Sequence, residues 1–197
     1  MNEILNEYMR LGFSFVLSGA DKKPIGAWKK YQQQRPTEQE VQELTNQISK
    51  DSSLGISVVC GRISQNLLLI DFDSKDQQFI KAVMGPLDEL AQNTWVSETP
   101  HGYHIHFLVD ENVELQNANY ILLGEGDNKK EVDLKGEGGL TKEPPSPGYT
   151  NLSDPSSISK ISKKDYETLV RKLELLVKLK PYIEPTLQVW QPGRRAL

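Results

Sequence analysis

The stretch Asn66-Leu-Leu-Leu-Ile-Asp-Phe-Asp-Ser74 drives two carboxylates out of the end of an apolar strand. Side chains two apart on a strand share a face, so Asp71 and Asp73 are expected to project together. Adjacent ionised carboxylates repel. A fold keeps such a pair when one takes a proton, when a divalent cation lies between them, or when both sit solvated at a strand end that runs into a turn.

The chain has 197 residues, enough to bury a sizeable core as one compact domain. With 37% hydrophobic and 25% charged residues, it belongs to the soluble globular class, and no run approaches the roughly 18 apolar residues of a membrane span. The opening Met-Asn-Glu-Ile-Leu-Asn-Glu-Tyr lacks the basic flank and apolar centre of a signal peptide. The expected location is therefore intracellular and cytoplasmic, with no membrane partner. Cys60 is the sole cysteine, which excludes internal disulfides and cysteine-based zinc clusters and predicts a buried thiol. Net charge is −4, so overall charge does not announce a nucleic-acid partner, and phosphate contacts would need a local patch or metal ions.

Residues 2–10 predict a short helix, Gly12–Leu17 a strand, and Lys22-Lys-Pro24 a turn. Trp28 in Trp28-Lys-Lys-Tyr31 is expected to anchor packing, with its lysines in solvent. Thr37-Glu-Gln-Glu40 has capping-box spacing ahead of a helix with Val41, Leu44 and Ile48 on one face. Strands at 55–60 and 66–73 follow, and then Ser74-Lys-Asp-Gln77 repeats the capping pattern before a helix that buries Phe79, Ile80, Val83 and Met84. Residues 93–98 and 104–109 predict a hairpin about a Thr99–Gly102 turn, and residues 119–123 and 130–135 two further strands around a polar loop. Glycine and proline crowd 136–148, which predicts a loop running close to packed protein or to a ligand phosphate. Beyond Pro155, Tyr166, Leu169, Val170, Leu173, Leu176 and Val177 mark a helix whose lysines and Arg171 face solvent. The tail from Pro181 is proline-punctuated. The expected division is a core at 1–155 and a helical extension at 156–197 packed on it and leading to further domains.

Three signals stand in order: Asp71-Phe-Asp73, Gly102-Tyr-His104 and Val132-Asp-Leu-Lys135 followed by Gly136-Glu-Gly-Gly139. In this order and spacing the chain resembles the N-terminal catalytic domain of bifunctional DNA primase–polymerases, the prim-pol branch of the archaeo-eukaryotic primase superfamily. Asp71 and Asp73 match its Asp-x-Asp/Glu motif. His101-Gly-Tyr-His-Ile-His-Phe107 matches its Gly-Gly-x-His-x-aromatic turn, with His104 in the histidine place. Val132-Asp133, Gly138-Gly139 and Pro144-Pro-Ser146 match its third motif. Gly12, Lys23-Pro24 and Trp28 resemble its opening segment, and the resemblance covers roughly residues 8–150. Gly102 stands where much of the superfamily has serine, and no Gly-x4-Gly-Lys-Ser/Thr of a fused helicase occurs.

The resemblance implies an α/β (α+β) primase–polymerase fold with a mixed, largely antiparallel, RRM-like catalytic sheet flanked by helices. It implies template-directed nucleotidyl transfer in replication of a plasmid, phage or similar element, with de novo primer synthesis as a further activity. Asp71, Asp73 and Asp133 would be catalytic and hold two Mg²⁺ or Mn²⁺ ions, His104 and Lys135 would bind the incoming nucleotide, and zinc is not expected. The implied partners are a single-stranded DNA template, a primer, dNTP or NTP, and a helicase or C-terminal domains.

Other readings stay open. His104-Ile-His106 also spells the metal-binding pair of rolling-circle (HUH) nickases, with Tyr166 as nucleophile. The strand ending in Asp71 resembles the start of haloacid-dehalogenase phosphatases, though the glycine and threonine expected after it are missing. A non-catalytic nucleic-acid-binding domain would need none of the carboxylates.

Overall fold

The computed structural model describes residues 2–124 and 129–189. Its elements are α1 Asn2–Arg10, β1 Ser14–Ser18, α2 Glu38–Lys50, β2 Gly55–Val59, β3 Leu67–Phe72, α3 Gln77–Met84, α4 Asp88–Ala91, β4 Val96–Glu98, β5 Tyr103–Val109, β6 Ala118–Leu123, β7 Lys130–Lys135, β8 Leu140–Glu143, β9 Thr150–Asn151, β10 Ser159–Ile161 and α5 Lys163–Val189. They form an α+β fold with two sheets. The small sheet runs β1-β2-β8 and the large one β6-β7-β3-β5-β4-β9, with β10 on the free stretch of β5. Pairing is antiparallel except for β10 on β5, which is parallel.

Strand β3 lies between β5 and β7 and is apolar from Leu67 to Ile70, where both of its faces are covered. Leu68, Ile70 and Phe72 point into one core with Phe79, Ile80 and Val83 of α3 and Tyr166, Leu169 and Leu173 of α5. Leu67 and Leu69 point the other way, into a second core with Leu5 and Tyr8 of α1, Val41, Leu44 and Ile48 of α2, the small sheet, and Trp95. Asp71 shares the parity of Leu67 and Leu69. Its carboxylate therefore leaves the sheet on the face of the small sheet and away from α3 and α5.

Several elements differ from the sequence reading. The segment 136–148 contains β8, which pairs antiparallel with β2 from Ile56↔Glu143 to Val59↔Leu140; flanking glycines and prolines disguised a four-residue strand. Strands β2 and β3, consecutive in sequence, belong to different sheets joined by a Gly61↔Leu67 bridge. The cap of α3 is Asp76, whose Oδ1 accepts from the amides of Gln78 and Phe79, and Ser74 only receives the Asp76 amide. Thr37 and Glu40 form the expected capping box. Trp28 is only half-buried, in a 3₁₀ turn with no buried residue; the deep aromatic anchor is Trp95, fully buried against Tyr8 and Phe13. Helix α5 continues past Pro181. The polar loop falls partly, and Arg194–Leu197 wholly, outside the described residues.

The turn after β4 is drawn tight against the end of β3. A Cβ at Gly102 would lie 1.7 Å from the Phe72 carbonyl oxygen and 2.7 Å from the Ser74 amide. Both obstacles are backbone, so no rotamer relieves them. Gly102→Ala is expected to cost about 3 kcal/mol of stability, read as a shift in urea midpoint; a midpoint within error of wild type would contradict this close approach.

Candidate active site

The register of the large sheet sets one polar row across its six main strands. Asn119 pairs with Asp133, Asp133 with Asp71, Asp71 with His104, His104 with Ser97, and Ser97 with Asn151. Directly opposite residues in an antiparallel pair share a face, so these side chains project together towards the small sheet. The next row carries Lys135 and His106 on either side of Leu69. Asp73 lies just past the end of β3.

A cavity of about 270 Å³ opens above this row. Asp71, Asp73, Asp133 and Glu131 line it together with Lys22, Lys135, Lys142 and Tyr149. All five sequence-predicted site residues, Asp71, Asp73, Asp133, His104 and Lys135, thus meet in one place. A larger hollow of about 1130 Å³ includes Arg35, Arg62, Asn66 and Asp110 at the opposite end of β3, without such a cluster of acids.

Asp71 and Asp133 face each other across neighbouring strands, a juxtaposition that destabilises the sheet unless cations intervene. The protein supplies two. Lys135 Nζ lies 2.7 Å from Asp133 Oδ2, and Asn119 donates to the other Asp133 oxygen. His104 Nε2 lies 3.4 Å from Asp71 Oδ1. Asp71, Asp73 and Asp133 offer the oxygen donors that a hard divalent cation takes, while among the described residues the group of three whose ligand atoms lie within 4.8 Å of one another is His104, His106 and Glu143.

Sequence reasoning missed Glu143 and Glu131. Glu143 of β8 has no exposed surface. Its Oε1 lies 2.6 Å from His104 Nδ1 and 3.0 Å from His106 Nε2, and its Oε2 accepts from Ser97 Oγ at 2.7 Å. The alternation Thr141-x-Glu143 was the only available signal, and it is too short to read between Gly139 and Pro144. Burial alone would raise the Glu143 carboxyl, but the two histidines outweigh it and hold the group down at about 2. Burial alone would likewise lower His104, but Glu143 and Asp71 together push it up to about 9. His104, His106 and Glu143 also form a donor set that could hold a metal ion.

The other candidate sites fare differently. His106 shares a face with His104, but Tyr166 lies in the core on the opposite face of β5, 6% exposed, with its hydroxyl accepting from the Gln116 amide. That separation removes the tyrosine from the histidine pair and does not favour a nickase. Cys60 is buried, and burial pushes its thiol far above the ordinary range, so it is inert. No described helix is long and apolar enough to cross a membrane.

The two shifts make opposite demands on pH. Glu143, depressed, stabilises the fold above its unfolded value near 4.5, and that contribution is lost as pH falls towards 2. His104, raised, stabilises it below its unfolded value of 6.5, and that contribution is lost as pH rises through about 9. The unfolding free energy should therefore fall by roughly 2–3 kcal/mol between pH 6.5 and 9.5, measured by urea titration. An unchanged value across that window would mean that His104 is not held as the cation. No curated protein matches the chain. The family model of the bifunctional DNA primase/polymerase N-terminal domain matches residues 5–164, and with the three motif segments meeting around one cavity the chain belongs to that family.

Proposed function

We propose that this domain transfers nucleotides to a primer 3′-hydroxyl under the direction of a single-stranded DNA template, in the cavity above β3, β5 and β7. The observation that supports this reading best is the convergence of Asp71, Asp73 and Asp133 beside Lys22, Lys135 and Lys142. An acidic floor beside basic groups suits a polyphosphate that arrives with divalent cations.

Asp71, Asp73 and Asp133 would hold two Mg²⁺ or Mn²⁺ ions, which when bound lower the pKa of the attacking hydroxyl and neutralise charge at the α-phosphate and the pyrophosphate. The chain's own residues do the rest. Lys135 would leave Asp133 for the triphosphate as the carboxylate turns to its cation. His104, charged between Asp71 and Glu143, would present Nε2–H to phosphate oxygens, a charge-assisted donor on a buried ring. Lys142, held below its ordinary value first by burial and then by Lys22, gains when an anion enters between the two. Priming from nucleoside triphosphates alone, and a role in copying a plasmid, phage or similar element, extend the same reading.

Asp71→Ala and Asp133→Ala should each lower Mg²⁺- or Mn²⁺-dependent primer extension by about 100- to 1000-fold or more, with an unchanged circular dichroism spectrum. Asp133→Ala should also be at least as stable as wild type, because it ends the cross-strand repulsion. Extension at wild-type rate in either variant would overturn the assignment. His104→Ala should chiefly raise the nucleotide KM; an unchanged KM and kcat would reject its role.

A further inference from the structure

Glu143 belongs to none of the motif segments that carry the proposed chemistry, yet it is the one fully enclosed carboxylate among the described residues. It rises from β8 of the small sheet and bonds three side chains of the large one: Ser97, His104 and His106. Taking a carboxylate out of water costs several kcal/mol unless every lone pair finds a donor. Here both oxygens do.

His106 cannot turn away from it. Its Nδ1 lies 3.1 Å from the Trp95 carbonyl oxygen, and its ring stacks on the Trp95 indole at 3.5 Å between centroids and 10° between planes. A carbonyl only accepts, so Nδ1 donates there, and the ring's other nitrogen, Nε2, is aimed at Glu143 Oε1, where it must also donate. Glu143 Oε1 is thus fixed from the His106 side and from the β8 backbone, and it dictates in turn the orientation of His104. With Nδ1 committed to Oε1 at 2.6 Å, only Nε2 remains to face Asp71 and the cavity.

We propose that Glu143 is a positioning residue of the nucleotide site: it locks the His104 ring with Nε2 towards the cavity and ties the small-sheet wall, with Thr141 and Lys142, to the carboxylate-bearing sheet. The proposal rests on the reading of the cavity as a nucleotide site. Without Glu143 only the longer Thr141 Oγ1 contact, at 3.3 Å, remains on Nδ1, too little to hold the imidazole against a flip about its Cβ–Cγ bond, and Nε2 leaves the cavity for part of the time. The partners that hold the far nitrogen of metal-ligating histidines orient the ring in this way, and their loss typically costs about 10- to 100-fold in metal affinity or activity; a loss at the lower end of that range is expected here.

The same three side chains carry atoms that a metal ion takes. Both histidine nitrogens, however, lie at hydrogen-bonding distance from a single oxygen. Neighbouring ligands of a tetrahedral ion with bonds of about 2.0–2.1 Å stand roughly 3.3 Å apart. The cluster is spaced for protons.

The test compares Glu143→Ala and Glu143→Gln with wild type in the 197-residue chain, scoring primer extension over a range of nucleotide concentrations. Glu143→Ala should raise the nucleotide KM about tenfold or more with a smaller change in kcat and an unchanged Kd for primer-template. Glu143→Gln keeps an acceptor for Nδ1–H and should restore most of the loss. In a His104→Ala background, Glu143→Ala should add nothing to KM; additive effects would assign Glu143 a merely structural part and overturn the proposal. Should Glu143→Ala fail to fold, the Gln variant and its double mutant carry the same comparison.

A second readout does not need activity. A slowly exchanging imidazole Nδ1–H resonance from His104 should appear in the proton NMR spectrum of wild type and Glu143→Gln and vanish in Glu143→Ala. Its absence from wild type, or stoichiometric zinc in the purified protein that is lost in Glu143→Gln, would overturn the hydrogen-bonded lock. If wild type extends no primer while the resonance is present, the polymerase reading fails and the lock stands as a structural fact without its function. An unchanged KM in Glu143→Ala alongside active wild type would sink this inference alone.

Discussion

The open end of the large sheet is organised by like charge held in register. Asp71 sits on the central strand with Asp133 opposite on one side and His104 on the other. Such a carboxylate pair works against strand association, so the fold must compensate within the same row. It does so asymmetrically. Asp133, nearer the sheet edge, takes an exchangeable ammonium from Lys135 and an amide from Asn119, whereas Asp71, on the central strand, takes an imidazole that is itself buried and tethered. One partner is a flexible, partly exposed side chain; the other is buried and held at its far nitrogen.

The tether sets the relation between the sheets. Much of the contact between the small sheet and the large one is apolar and non-directional, through Leu67, Leu69, Trp95 and the residues of β1 and β2. Dispersion and water exclusion fix a separation, but they fix sliding only loosely. Glu143 adds direction. Its four-residue strand β8 pairs with β2, and its carboxylate bonds β4 and β5, so the cavity wall and floor are joined through a charge that would be costly to leave unpaired.

The sequence disclosed those parts of the site whose chemistry coincides with local pattern. An apolar run ending in Asp-x-Asp states its own strand, and Val132-Asp-Leu-Lys135 states by period two that Asp133 and Lys135 share a face, as their 2.7 Å ion pair bears out. The capping box at Thr37 was equally legible. What stayed hidden depends on distant register. Glu143 reads as one surface charge before a proline, because nothing near it tells that β8 will lie against β2 with that side chain facing two histidines 37 and 39 residues away. Trp28 and Trp95 show the same limit: a tryptophan beside lysines and one beside threonine look equally able to anchor a core, and only the tertiary fold buries the second.

Gly102 links these threads. It stands where much of the superfamily carries serine, and the approach of the Phe72 carbonyl leaves no space for any side chain. Nor do the turn's amides stand free for an anion, since those of His101 and Gly102 both donate to Thr99 Oγ1. Whatever polar contact a side chain at that turn would make to phosphate must here come from elsewhere on the cavity. The groups in reach are His104 two residues on, Lys135 across the row, and the pair Lys22 and Lys142. A tight turn also brings its own gain: drawn against the end of β3, it holds Tyr103 and His104 in strict register with Phe72 and Asp71. The chain has exchanged a hydroxyl for rigidity, and the anion-binding burden of the proposed site therefore shifts onto a histidine whose direction Glu143 sets.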